Sequence, residues 1–220
     1  TAAISNRWLQ TVQLVYQTED FSIAGENKQT QIVVPGIGWR ASHSDNPIYP
    51  TSGWRLQSSI RGAAEELASD LSFVQLHGSA KYIRGLGRGR ILTRLEAGAT
   101  LVNQFEDLPA SFRFFAGGDS SVRGYDYEEL GPTNEEGEVV GGRHLLTASL
   151  EYDYPIYRKY HLAAFYDAGN AFNNHDFTAK HSLGFGVRWR SPIGPIRLDF
   201  AFPLHDEQSF RLHLSMGPDL

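Results

Sequence analysis

The chain has 220 residues, a net charge of −5, 41% hydrophobic residues and no cysteine, with a mean hydropathy of −0.34. The lack of cysteine excludes disulfides, thiolate metal sites and cysteine nucleophiles, and the negative charge argues against a nucleic-acid partner. No run approaches the roughly 18–20 apolar residues of a membrane helix, which leaves open a β-barrel, whose strands hide hydrophobicity by alternating it.

The inventory of 13 Phe, 10 Tyr, 4 Trp and 22 Gly against a single Met suits strands, turns and interfacial aromatic girdles. The start at Thr1, with neither Met nor a signal-like segment, reads as a mature or trimmed piece.

Ten strands are expected. The first covers Arg7–Thr18, with Trp8, Val12, Leu14 and Tyr16 on one face; the second covers Thr30–Ser42, with Val33, Ile37 and Trp39 in phase. Trp54–Ala64 and Ser72–Arg84 follow, then Arg90–Val102, where Arg94 and Glu96 face away from Leu95 and Ala97. The segment Ala63–Leu71 reads as a loop rather than a turn of helix, and Gly85–Gly89 as a hairpin turn. A long connection from about 103 to 143 leads to five more strands. These are His144–Tyr154, Tyr160–Ala168, His181–Arg190, Pro195–Pro203 and Ser209–Gly217. Between the seventh and eighth of the ten strands lie both His175 and the approach to His181; Ser191–Pro195 reads as a tight hairpin, since Pro presets φ and Gly supplies unusual angles.

Period-2 alternation puts one set of side chains on each face. A soluble sandwich alternates too, but several of these strands reach 10–13 residues, beyond the usual 5–6 and matching a tilted bilayer crossing. Their polar face carries Arg, Glu, Asp, Lys and His in nearly every strand, which a watery lumen accepts and a packed core rejects. The fold class is therefore all-β, an antiparallel transmembrane β-barrel occupying residues 1–220.

Four blocks carry more specific information: FRFFAGGDSSVRGY (112–125), LTASLEYDYPI (146–156), LAAFYDAGNAF (162–172) and LGFGVRWRSPIGPIRLDFAFPL (183–204), before a final MGPDL. In this order they resemble the C-terminal part of the barrel subunit of the translocation and assembly module, the TamA family. That family lies within the outer-membrane assembly-factor superfamily that includes BamA. Residues before about Arg90 fit by pattern alone.

The resemblance implies an inward-folded loop, about 103–143, whose tip Val122-Arg123-Gly124-Tyr125 returns into the barrel. It implies that Glu151 and Asp167, of lumen-facing parity on the next two strands, hold Arg123. A buried arginine needs such partners, and its fork of donors can meet two carboxylates. Gly117, Gly118 and Gly124 are expected to let the loop approach the wall closely, and Gly184 and Gly186 either receive the loop or are plain strand glycines. The resemblance further implies about sixteen strands with the loop after the eleventh, preceded by periplasmic POTRA modules. Five strands follow the loop here, so the chain is expected to span strands seven to sixteen, with the POTRA modules absent.

The function implied is assembly: insertion or translocation of outer-membrane proteins such as autotransporters through a lateral seam. The seam strand would be Phe210, Leu212, Leu214 and Met216 with Gly217, its pairing weakened by Gly217 and Pro218. The implied partners are client outer-membrane proteins, outer-membrane lipids and lipopolysaccharide, and a periplasm-spanning TamB-like inner-membrane protein. The alternatives are a two-partner or patatin-type secretion pore, or a conduit for lipid.

No enzyme, cofactor or metal is expected. The eight histidines include no HxH or HExxH, GxSxG and phosphate-loop motifs are absent, and no Ser-His pair sits on the lipid-facing parity of adjacent strands as an outer-membrane phospholipase needs. The acidic run Asp126, Glu128, Glu129, Glu135, Glu136 and Glu138 lacks calcium-loop spacing and reads as solvated loop.

Overall fold

A computed structural model describes residues 2–3, 8–23, 26–67, 69–174, 177–204 and 210–220. Arg7, Ser209 and His175, named above, lie outside the described residues. The strands are β1 (Ala2–Ala3), β2 (Trp8–Ile23), β3 (Glu26–Ser44), β4 (Ser52–Ala63), β5 (Phe73–Leu86), β6 (Gly89–Val102), β7 (His144–Tyr157), β8 (Tyr160–Phe172), β9 (Lys180–Ser191), β10 (Gly194–Pro203) and β11 (Arg211–Met216). They form one antiparallel meander in chain order, each strand hydrogen-bonded to the next.

The ten strands after β1 are those the alternation predicts. The early ones run longer, 16 residues in β2 and 19 in β3, whereas β11 has six. One correction concerns 63–71: Glu65–Leu67 forms a 3-10 turn between β4 and β5 rather than plain loop. A second such turn, Ala110–Phe112, lies inside the long connection.

The two ends of the sheet differ. At one end two-residue turns join β5 to β6, β7 to β8 and β9 to β10, with Gly87 at φ 59° supplying the left-handed residue in the first. The longer connections lie at the other end, that of 103–143 being the longest. Among the described residues the exception at the short-turn end is 45–51, between β3 and β4, which folds across the inner face.

The faces are inverted relative to a soluble protein. Leu146, Leu150, Leu162, Leu183, Phe185 and Leu214 stand exposed on one face. The opposite face buries Arg90, Asp153, Asp167 and Arg188, with Arg188 only 1% exposed. A charged interior under an apolar exterior is stable only with hydrocarbon outside. In one region the inner face departs from the expected polar character. There Ile32, Val34 and Phe73 pack with Leu71 and with Phe105, Leu108 and Phe112 of the long connection. This is an apolar plug, placed where the loop covers the strands and excludes water.

Candidate functional site

The loop 103–143 lies along the inner face. Backbone bridges fold it on itself at Phe114–Gly142, Ala116–Leu130 and Thr133–Val139. Phe114, Ala116, Val122, Tyr125 and Leu130 form its core against Leu145 of β7 and Ala171 of β8. The tip is tight: Gly118 N–H donates to the Tyr125 carbonyl (3.0 Å) and Tyr125 N–H to that of Val122 (3.2 Å). Gly117 and Gly118 do not bring the loop to the wall, contrary to expectation. At φ 106° and 87° they shape the tip, and a β-carbon on Gly117 would fall 2.2 Å from the Asp126 carbonyl oxygen. Gly124 makes the close approach, where a β-carbon would lie 2.5 Å from Ser182 on β9 and 3.0 Å from Pro203 on β10.

Arg123 stands at the centre. Its Nε donates to Asp167 Oδ2 (2.9 Å), Nη2 to Asp167 Oδ1 (2.9 Å) and Nη1 to Glu151 Oε2 (2.8 Å). Its backbone N–H also reaches Asp167 Oδ2 (3.1 Å), and Ser149 contacts both Arg123 and Asp167. The planar fork thus meets carboxylates from β7 and β8, as bidentate geometry allows. Burial alone opposes the charge on Arg123. Its bond to Asp167 and the fields of Asp167, Glu151 and Asp199 outweigh that and raise its pKa.

Three parts of this site escape the sequence reading. Asp199 on β10 is a third carboxylate on Arg123, 3.2 Å from Nη1. Arg188 on β9 pairs with Glu151 (2.9 Å) and with Asp199, so it compensates the extra negative charge. Phe165 on β8 lies flat under Arg123, with 3.4 Å from guanidinium carbon to ring centroid. The signal for Asp199 and Arg188 was present, since both share the lumen-facing parity of Asp167; the ring stack depends on the fold of the loop.

Gly184 serves this arrangement indirectly. A β-carbon there would fall 2.1 Å from the Phe165 ring, so Gly184 makes room for the platform beneath Arg123. Gly186 makes room for the Arg188–Asp199 pair, 2.0 Å from Asp199 Oδ1 by the same measure. Neither receives the loop itself.

Nearer the short-turn end, Tyr49 is held between Arg90 (3.6 Å to the ring centroid) and Arg190 (3.9 Å). Its hydroxyl donates to Asp153 Oδ2 (2.9 Å) and meets His161 Nδ1 (3.0 Å). Burial pushes the Tyr49 phenol well above its ordinary pKa. Arg90 also pairs with Asp219, beyond β11, at 2.8 Å, and Arg197 pairs with the same carboxylate. The residues after β11 are therefore tied to β6 and β10.

The predicted seam residues Phe210, Leu212, Leu214 and Met216 all face outward and are more than half exposed. Gly217 follows the end of β11 at φ 137°. Among the described residues β11 pairs with β10, and no ladder joins it to β1 or β2. No group of metal-binding side chains occurs among the described residues.

Residues 3–219 match the Omp85 superfamily domain. The chain is 35% identical, over 88% of its length, to the outer membrane protein assembly factor BamA of Nitratidesulfovibrio vulgaris, and covers 26% of that protein. It is 26% identical to BamA of Neisseria meningitidis, over 76% of this chain and 26% of that one. Outer envelope protein 80 of the Arabidopsis thaliana chloroplast is 30% identical over 67% of this chain and 20% of its own. The chain thus spans about a quarter of the length of the BamA proteins it matches. In fold it is similar to the crystal structure of Haemophilus ducreyi BamA lacking POTRA domains 1–3. The TM-score is 0.71 at 22% identity, over 86% of this chain and 42% of that one. A family match across nearly the whole chain, an inverted sheet and a BamA-like fold lead to one conclusion: the chain belongs to the Omp85 superfamily and is an outer-membrane β-barrel chain.

Proposed function

We propose that this chain is the C-terminal part, approximately strands seven to sixteen, of the barrel of an outer-membrane protein assembly and translocation factor of the TamA type, preceded in the whole protein by POTRA modules. The observation that carries this reading is the contrast between the filled inner face and the short last strand. An inner face occupied by a loop and an ion network suits a gated machine better than an open diffusion pore. A six-residue β11 with outward apolar residues offers an edge to which an incoming strand can add by β-augmentation. Inserted clients would include autotransporters. Lipopolysaccharide and outer-membrane lipids would surround the barrel, and a TamB-like periplasm-spanning protein would deliver from the inner membrane. The work is mechanical and requires no bond-making step or cofactor.

The test is reconstitution of the full-length protein in liposomes, with the folding of an autotransporter barrel followed by its heat-modifiable gel mobility. Folding accelerated several-fold over empty liposomes is expected. Equal rates, together with movement of labelled lipid, would contradict insertion and favour the lipid conduit.

A further inference from the structure

The carboxylate network around Arg123 and the proposed seam strand are in contact. His213 lies on β11 directly opposite Asp199 of β10, one of the carboxylates on Arg123. Its Nε2 meets the carbonyl oxygen of Arg123 at 2.6 Å, and its Nδ1 meets the carboxylate of Asp119, also in the loop. Both ring nitrogens thus face acceptor oxygens, which the protonated ring satisfies together. Two residues earlier on the same face of β11, Arg211 Nε pairs with Asp126 at 2.8 Å, with Glu129 4.0 Å from Nη2. Leu212 and Leu214, between and beyond them, face outward.

The loop also touches the strands at the far side of the sheet. The Ser111 hydroxyl bonds to Glu19 (2.5 Å) and Gln17 (2.9 Å) on β2, and Gln75 of β5 donates to the Phe112 carbonyl (2.7 Å). The loop is therefore a strut running across the inner face from β2 to the last strand.

We infer that Arg211 and His213 are positioning residues that clasp β11 to the inward loop, so that β11 cannot leave its place without releasing the loop tip. This deepens the seam reading above and rests on it for its biological meaning, but the clasp itself is a statement about two elements of this chain. The exposed Arg211–Asp126 pair contributes less, since exposed ion pairs stabilise weakly. His213 contributes more: its side chain is 12% exposed and it bonds on two sides.

The test uses the full-length protein in outer-membrane vesicles with a single cysteine at Val122, which is fully buried at the loop tip. The readout is maleimide labelling of the folded, heat-modifiable species only. His213→Ala with Arg211→Ala should raise the labelling rate at least tenfold. The charge exchange Arg211→Glu with Asp126→Arg should label more slowly than Arg211→Glu alone. It retains the pair in reverse and serves if the double alanine variant does not fold. Labelling unchanged in the folded alanine variants, or no difference between the exchange and Arg211→Glu, overturns the clasp. Crosslinking of clients from β11 is scored separately: a labelling increase without client adducts supports the clasp and removes the seam.

Discussion

Arg123 and Arg188 share two carboxylates. Glu151 accepts from Arg123 at Oε2 and from Arg188 at Oε1, and Asp199 likewise bridges the two guanidinium groups. One arginine belongs to the loop and the other to the wall, so the wall pair remains when the loop leaves. Release of the loop then strands Asp167 in particular, whose partners are Arg123 and Ser149.

Replacing Arg123 should therefore loosen the loop without dissolving the wall. Arg123→Ala leaves buried carboxylates undercompensated, and removing one partner of such a network costs about 3–5 kcal/mol. A lowered urea midpoint and rapid protease cleavage within 103–143 are expected. Arg123→Lys keeps the charge but loses the fork and should fall between. Arg123→Asp should abolish activity of the whole protein, and adding Asp167→Arg should restore only part. Glu151 and Asp199, which also face residue 123, remain in that double variant. Full activity in the single variant would show that the pairing of Arg123 with Asp167 is not needed for function.

Gly184 provides a test of the ring platform. Gly184→Val would collide with Phe165 and tilt it from under Arg123. Overpacking of this kind costs about 1–3 kcal/mol. Gly184→Val combined with Phe165→Ala should recover part of the thermal stability in detergent. If the two changes are additive, the glycine acts through something other than the ring.

Tyr49 separates its ring from its hydroxyl. Tyr49→Phe removes the bonds to Asp153 and His161 but keeps the ring between Arg90 and Arg190, and should cost about 1 kcal/mol or slightly more in urea unfolding. Tyr49→Ala should cost clearly more. Equal losses would show that the stacked arginines contribute nothing.

Leu108 tests the apolar plug. It is fully buried among Ile32, Phe73 and Phe112, so Leu108→Ala should cost about 2–5 kcal/mol. Unchanged stability, measured by urea unfolding, would mean that the loop's first half does not stabilise the sheet.

Strands and their facing were legible because membrane alternation is local: Leu146, Leu150 and Leu162 against Glu151 and Asp167 can be read two residues at a time. The contact of Arg123 with Glu151 and Asp167 was reachable through the family resemblance. Asp199 and Arg188 shared the right parity, but their part depends on register across four strands. The segment 45–51 is closed locally by Asn46, which accepts from Ile48 and Tyr49 N–H, and by Asp45, which accepts from Thr51 N–H, but its placement over the inner face, which brings Tyr49 to Asp153, comes from tertiary packing. The same holds for His213: nothing near residue 213 in the sequence announces that its neighbours are Asp119 and the carbonyl of Arg123. The apolar plug was missed because Ile32 and Val34 alternate like any strand residues, and only the loop above them makes that face dry.

The central claim is that clients are engaged at β11. Single cysteines at Leu212 and Leu214, in the full-length protein in cells expressing an autotransporter, test it most directly; this chain has no native cysteine to interfere. Crosslinked adducts between β11 and strands of the immature autotransporter barrel are the predicted result. Adducts with lipid or with a periplasm-spanning inner-membrane protein, and none with the client, would contradict it.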